Sequence, residues 1–373
     1  MFEEERQMAD LSVTVNGMKF PNPFVLGSGP PGTNAKVINR SFSLGWGGIA
    51  CKTISLDNSK VHNVAPRYAR LKSRTDGSVI GFENIELISD RTFDQWLDDL
   101  ADCKAKHPDK ILIASIMEEF NKDAWCEIVE RTQETGVDAF ECNFSCPHGL
   151  PERKMGMAMG ENPDIVGEVT SWVTGVSKIP VWVKMTPNVG DITAPARAAV
   201  NSGAHGISAI NTILSVLGVN LKTLRPMPTV EGYTVPGGYS GQAVRPIALR
   251  QVMQLASAFP DVPISGMGGV EEAGHAAEFI LLGSSTVQVC TGAMLRGYKL
   301  IEELCQGLSD FMDEHGFKSI DEFRGLSLPY FSTHANLVER QLEKKRKGAG
   351  KAGRDAMWKG DIAAETKSLT ADE

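Results

Sequence analysis

Ala139-Phe140-Glu141-Cys142-Asn143-Phe144-Ser145-Cys146-Pro147-His148-Gly149 is an apolar run that ends in an Asn, a Ser and a Cys before a Pro/Gly-containing loop begins. It is the fourth of eight such runs, at residues 24–28, 48–54, 111–117, 139–145, 181–187, 206–212, 263–269 and 286–292. Most are continuously apolar, as strands covered on both faces require. Polar or reactive residues gather at their C-terminal ends. In a (β/α)8 barrel that rim carries the chemistry.

Working outward, helical patterns separate many of the runs. Phe93, Trp96, Leu97, Leu100 and Ala101 fit one helix face, as do Trp125, Ile128 and Val129. Pro246 suits the start of another helix. Gly45, Gly136, Gly203 and Gly283 each stand where a helix ends and a strand follows at once. Gly stops helices there because it accepts positive φ. Repeated helix-Gly-strand units predict an α/β fold, a (β/α)8 TIM barrel. A doubly wound open sheet is the alternative. Residues 11–20, LSVTVNGMKF, predict a hairpin around Asn16-Gly17 that plugs the N-terminal mouth. Residues 55–110 and 213–245 are long connections expected to shape or cover the site. The division expected is an N-terminal extension at 1–10, the barrel at 11–337 and a basic, polar helical tail at 338–373, with Trp358 packing back.

Composition bounds the function. The chain has 373 residues and a net charge of -8, so no global basic field attracts nucleic acid. The cluster Lys344-Lys345-Arg346-Lys347 reads as a solvated helix face rather than a nucleic-acid patch. Seven Cys occur without a CxxC pair, against zinc or iron–sulfur motifs, and a reducing compartment is expected. No run of about 18 apolar residues predicts a membrane span. The start, Met1-Phe2-Glu3-Glu4-Glu5-Arg6, lacks signal-peptide character. A cytoplasmic location is expected, or the plastid stroma if a transit peptide was removed.

Several rim residues are candidates for chemistry. Gly266-Met267-Gly268-Gly269 and Cys290-Thr291-Gly292 follow the seventh and eighth runs, where such barrels bind phosphate; Gly238-Tyr239-Ser240-Gly241 adds donors. Tight turns are the plainer reading. Lys52 and Lys184 point ammonium groups at the rim, for an anionic ring or phosphate or as barrel salt bridges. Asn22, Asn84, Asn143, Asn188 and Asn211 offer amide donors and acceptors suited to a flat ligand such as a pyrimidine; turn capping is the plainer role for Asn22 and Asn188. Cys146 has three readings: a nucleophile with His148, a buried structural Cys, or a general acid. A thiol of ordinary pKa near 8.5 is protonated at neutral pH, which favours the acid.

The motif 143–149, with Lys184-Met185-Thr186-Pro187-Asn188, Ala209-Ile210-Asn211-Thr212 and Gly268-Gly269, resembles the dihydropyrimidine dehydrogenases within the dihydroorotate dehydrogenase-like group of FMN barrels. The likeness runs over 11–341 and takes in Asn84-Ile85-Glu86-Leu87-Ile88-Ser89 and Arg245-Pro246-Ile247-Ala248-Leu249. Tyr330-Phe331-Ser332-Thr333-His334 resembles the short plant-type members most. The resemblance implies FMN held by Gly27, Ser28, Lys52, Thr53 and Lys184, with Gly241, Gly268, Gly269, Cys290 and Thr291 on its phosphate and ribityl end. Asn84, Asn143, Ser145, Asn211 and Thr212 then read the pyrimidine edge. Cys146 protonates C5 of uracil or thymine, under a closing loop at 147–160. NADPH is the implied donor, direct or through an electron-transfer partner, with no iron–sulfur cluster in this chain. A homo-oligomer is expected, with neither nucleic acid nor membrane as partner. Dihydroorotate oxidation in pyrimidine biosynthesis and a non-catalytic barrel subunit are the competing readings.

Overall fold

A strand with apolar side chains on both faces must be covered on both, and closing eight of them on themselves achieves this. A computed structural model of the chain describes residues 9–57, 62–147 and 153–346. In it Phe24–Leu26, Gly48–Ala50, Ile111–Ile116, Ala139–Phe144, Val181–Met185, Gly206–Ala209, Ile264–Met267 and Thr286–Val289 form a closed barrel. Every neighbouring pair is parallel and each strand lies beside its predecessor in sequence. All eight predicted runs are therefore strands, and the open-sheet alternative is excluded. All residues of the eight strands are buried.

The four punctuating glycines behave as read, with φ of 108°, 84°, 94° and 104° at Gly45, Gly136, Gly203 and Gly283. Helix Phe93–Lys106 departs from its predicted face in one place. Ala101 is exposed, and Cys103 turns inward beside Phe93, Trp96 and Leu100. Helix Lys122–Gln133 buries Trp125, Ile128 and Val129 as expected. Four indoles anchor the shell: Trp46, Trp96, Trp125 and Trp182 are fully buried. Each indole N–H is satisfied, by Tyr298 O, Ser89 Oγ, Glu119 O and Asn16 Oδ1 respectively. That pairing lets a large amphipathic ring be buried at little polar cost.

The hairpin Val13–Val15/Met18–Phe20 turns on Asn16 (φ 49°) and Gly17 (φ 80°). Asn16 also donates to His205 O, so the hairpin is tied below the fifth and sixth strands, at the N-terminal mouth. At the other mouth the two long connections do more than form loops. Tyr68–Lys72 and Val79–Asn84 from the first join Ile213–Ser215 and Gly237–Ser240 from the second in one four-stranded antiparallel sheet.

The chain divides into two compact units, 1–328 and 329–373. The boundary read at Leu337 thus falls inside the helix His334–Arg346, which belongs to the second unit. Trp358 lies outside the described residues. Among the described residues no helix is long and apolar enough to cross a membrane.

Gly160 marks a close approach, because a Cβ there would collide with the carbonyl oxygen of Phe144 at the end of the fourth strand. Gly160→Ala is expected to cost about 1–3 kcal/mol, as overpacking does. Urea unfolding would show this as a lower midpoint with unchanged slope. An unshifted midpoint would contradict the packing.

Candidate active site

The barrel delivers its rim residues to one cavity. Gly27 and Ser28 follow the first strand, Lys52 and Thr53 the second, and Cys146 the fourth. Lys184 lies within the fifth strand; Asn211 and Thr212 follow the sixth, Gly268 and Gly269 the seventh, and Cys290 and Thr291 the eighth. Asn143 is in the fourth strand and Asn84 ends a strand of the mouth sheet. All of these line the same cavity. Ser145 and Gly241, also picked from sequence, do not line it. Ser145 is fully buried and ties Asn143 to Asn211; Gly241 (φ 95°) sets its carbonyl against Gly269.

Three asparagines are locked in orientation. Asn143 Oδ1 accepts from Ser145 N (3.2 Å) and Ser145 Oγ (2.9 Å), while its Nδ2 donates to Thr53 Oγ1 (2.9 Å). Asn211 Oδ1 accepts from Thr212 N (2.7 Å), and its Nδ2 donates to Ser145 Oγ (2.9 Å). Asn84 Oδ1 accepts from Glu86 N (3.3 Å), and its Nδ2 donates to Gly238 O (3.1 Å). A backbone N–H can only donate, so each Oδ1 is fixed and each amide keeps one N–H to offer a ligand. Thr53 is itself braced by Ser28 Oγ (3.1 Å) and Ser115 Oγ (2.9 Å). Thr212 Oγ1 is buried with no hydrogen-bond partner. Gly238 makes room for it, since a Cβ there would strike that hydroxyl.

The two buried lysines are neutralised by carboxylates that sequence reading did not single out. Lys184 Nζ lies 3.4 Å from Glu141, whose other oxygen accepts from Gln288 Nε2 at 2.7 Å. Lys52 Nζ lies 2.9 Å from Glu86, which also faces Arg67 Nε at 3.4 Å. Glu141 hides inside an apolar run two residues before Asn143, on the same face of its strand; that inward-facing parity was the signal. Glu86 sits in a loop and carried no signal of periodicity. Burial and the Glu86 carboxylate push the Tyr68 phenol far above its ordinary range, so it stays a neutral O–H. Burial pushes the Cys290 thiol up to about 11, against the pull of Lys184 and Lys52.

Cys146 is buried, lines the cavity and packs in a small apolar cluster with Ile88, Met117 and Met155. It is in no disulfide. Its expected partner in the nucleophile reading, His148, lies outside the described residues, as does Gly149 of the expected closing loop. Asn22 and Asn188 are structural. Asn22 caps Phe24 N and Gly45 O below the barrel, and Asn188 binds Thr186, Thr212 O and Leu214 N. Among the described residues no cluster of His, Cys, Asp and Glu is set to hold a metal.

Comparison with known proteins places the chain among relatives. The profile of the dihydroorotate dehydrogenase family matches residues 10–312. A protein of Arabidopsis thaliana named dihydropyrimidine dehydrogenase (NADP(+)), chloroplastic, is 56% identical over 97% of this chain and 88% of its own length. The subunit PreA of the NAD-dependent dihydropyrimidine dehydrogenase of Escherichia coli K12 is 43% identical over 85% of this chain and 77% of its own. The crystal structure of DHODH in complex with ferulenol from Eimeria tenella superposes with a TM-score of 0.72 at 20% identity, covering 88% of this chain and 91% of that one. That likeness speaks to the fold.

Removing one partner of a buried ion pair strands the other charge, at a cost of about 3–5 kcal/mol. Glu141→Leu is expected to lose that much stability, and Glu141→Leu with Lys184→Met to recover most of it. Additive losses in the double variant would show that the two groups are not coupled.

Proposed function

The chain belongs to the dihydroorotate dehydrogenase family and is an oxidoreductase, and from that premise we propose that it reduces the 5,6 double bond of uracil or thymine, with NADPH as electron source and FMN as resident cofactor, in pyrimidine breakdown. The observation that carries the substrate is the amide set. Asn84, Asn143 and Asn211 have their amide oxygens fixed by backbone N–H donors and each keeps one N–H to present, which suits ring carbonyls. The cavity-lining lysines are both ion-paired, so among the described residues lining the cavity no uncompensated cation awaits a carboxylate. A carboxylated pyrimidine such as dihydroorotate needs one. This favours pyrimidine reduction over the dihydroorotate reading.

The residues fit FMN. Gly268 (φ 138°) and Gly269 (φ 72°) turn successive backbone units toward the cavity without side chains, as a phosphate cradle requires. Ser240 Oγ and Thr291 Oγ1, 2.8 Å apart, add hydroxyls at the same end. Gln288 Oε1, orphaned and buried in the cavity wall, suits a ring N–H. Gly29 keeps the first loop clear, since a Cβ would lie 2.6 Å from Cys290 Sγ. Gly27, Ser28, Lys52, Thr53 and Lys184 would hold the ring, with Lys184 stabilising negative charge on it. FMN, when bound, supplies a hydride acceptor for the nicotinamide and a hydride donor for the pyrimidine.

The chain's own residues do the rest. The asparagine N–H groups hold the pyrimidine carbonyls and stabilise charge that builds there as the hydride arrives. Thr212 Oγ1 is free to pair with a ring N–H or carbonyl. Cys146, at the cavity wall, gives its proton to C5. Ile88, Met117 and Met155 pack around Cys146 and hold it at the cavity wall. Overall, one hydride and one proton add across the double bond and NADPH leaves as NADP⁺. The name of the Arabidopsis relative favours the plastid over the cytoplasm.

Anaerobic addition of NADPH to the purified protein should bleach a flavin band, and uracil should restore it. A colourless protein would contradict the reading. Cys146→Ala should slow uracil reduction by about 10²–10⁴-fold, the range for loss of a general acid, with uracil still perturbing the flavin spectrum. Full reduction rates across pH in Cys146→Ser would exclude Cys146 as the proton donor.

A further inference from the structure

Residues 67–74 read Arg67-Tyr68-Ala69-Arg70-Leu71-Lys72-Ser73-Arg74, four cations and no acid in a chain of net charge -8. Most of this stretch is the strand Tyr68–Lys72, the outer strand of the mouth sheet. Side chains two apart share a face of a strand. Tyr68 lines the cavity, Arg70 lines the groove beside it, and Arg70 and Lys72 are the two exposed positions of the strand, with a register shift at Leu71/Lys72. A shallow groove lined by Tyr68, Ala69, Arg70, Phe82, Met294 and Leu295 runs beside the cavity and shares Tyr68, Phe82 and Met294 with it. Arg70, Lys72 and Arg74 are exposed, and none forms an ion pair with another described residue. Arg67, by contrast, is spent on Glu86 and Asp90.

We propose that this groove is the nicotinamide dinucleotide site, with Arg70 and Lys72 holding the diphosphate and the 2′-phosphate of NADPH. The inference rests on the reading of the cavity given above and adds where the electron donor binds. Two phosphate groups need two cations set apart, and alternate residues of a strand stand about 7 Å apart. The shared wall of Tyr68, Phe82 and Met294 is apolar and aromatic, suited to the flat nicotinamide on its way into the cavity. Local positive charge in an acidic protein also steers a polyanion to this mouth. An acidic electron-transfer protein would feel the same charge. A groove that shares Tyr68, Phe82 and Met294 with the cavity favours a small ligand, which must deliver its hydride in contact.

The test is binding and specificity together. Titration calorimetry of the flavin-loaded protein with 2′,5′-ADP should give a salt-sensitive dissociation constant that Arg70→Glu and Lys72→Glu each weaken roughly tenfold or more, as like-charge contacts do. The same variants should raise the KM for NADPH while altering that for NADH less, so that preference between the two falls. Unchanged 2′,5′-ADP affinity in both variants would overturn the proposal. So would a wild-type protein that NADPH cannot reduce without an added protein. The pyrimidine reading is checked separately: photoreduced wild-type protein that returns its electrons to uracil upholds it whatever the fate of the groove.

Discussion

Two ammonium groups inside a barrel have to be neutralised before anything else can be built around them. Lys184 and Lys52 are both almost wholly buried, and a lone charge there would be prohibitively costly. Glu141 and Glu86 supply the counter-charges. Each carboxylate then does a second job. Glu141 also holds the Gln288 side chain in the cavity wall, and Glu86 links the cavity to Arg67 at the rim. The result is a polar floor with balanced charge, which suits a ligand whose polarity lies in carbonyl and N–H groups rather than in formal charges.

Above that floor, chain closure and loop pairing divide the labour. Parallel strands put their C-terminal ends at one mouth, so residues from Gly27 to Met294 in sequence meet within one cavity. The sheet formed from two distant connections roofs one side of it and contributes Asn84, Tyr68 and Tyr239. Ser145 is the hidden strut. By binding both Asn143 and Asn211 it fixes two amides from different strands with one hydroxyl. Orientation of donors before the ligand arrives is what lets them act on developing charge without reorganising.

The barrel was legible in the sequence because its signals are local. Continuous apolar runs, helix-ending glycines and an Asn-Gly hairpin each declare themselves within about ten residues. The mouth sheet was not legible beyond two long loops, because Val79–Asn84 pairs with Gly237–Ser240 across most of the barrel. Such pairing leaves no local pattern. In the site, side chains at strand ends could be named, since their position alone points them at the rim. Their partners could not. Glu141 drew no attention inside its apolar run, and Ser145 looked like one more rim residue although it is fully buried. Ala101 and Cys103 differ by two positions on a helix, and a helical pattern of small residues does not distinguish them. His148 and Gly149 fall outside the described residues.

The central claim is that this cavity reads carbonyls through oriented amides and, among the described residues that line it, has no cation to spare for a carboxylate. Difference spectra of the oxidised, flavin-loaded protein titrated with uracil and, separately, with orotate put it to the test. The account predicts a saturating perturbation with uracil and a far weaker one with orotate. Tighter binding of orotate than of uracil would contradict it.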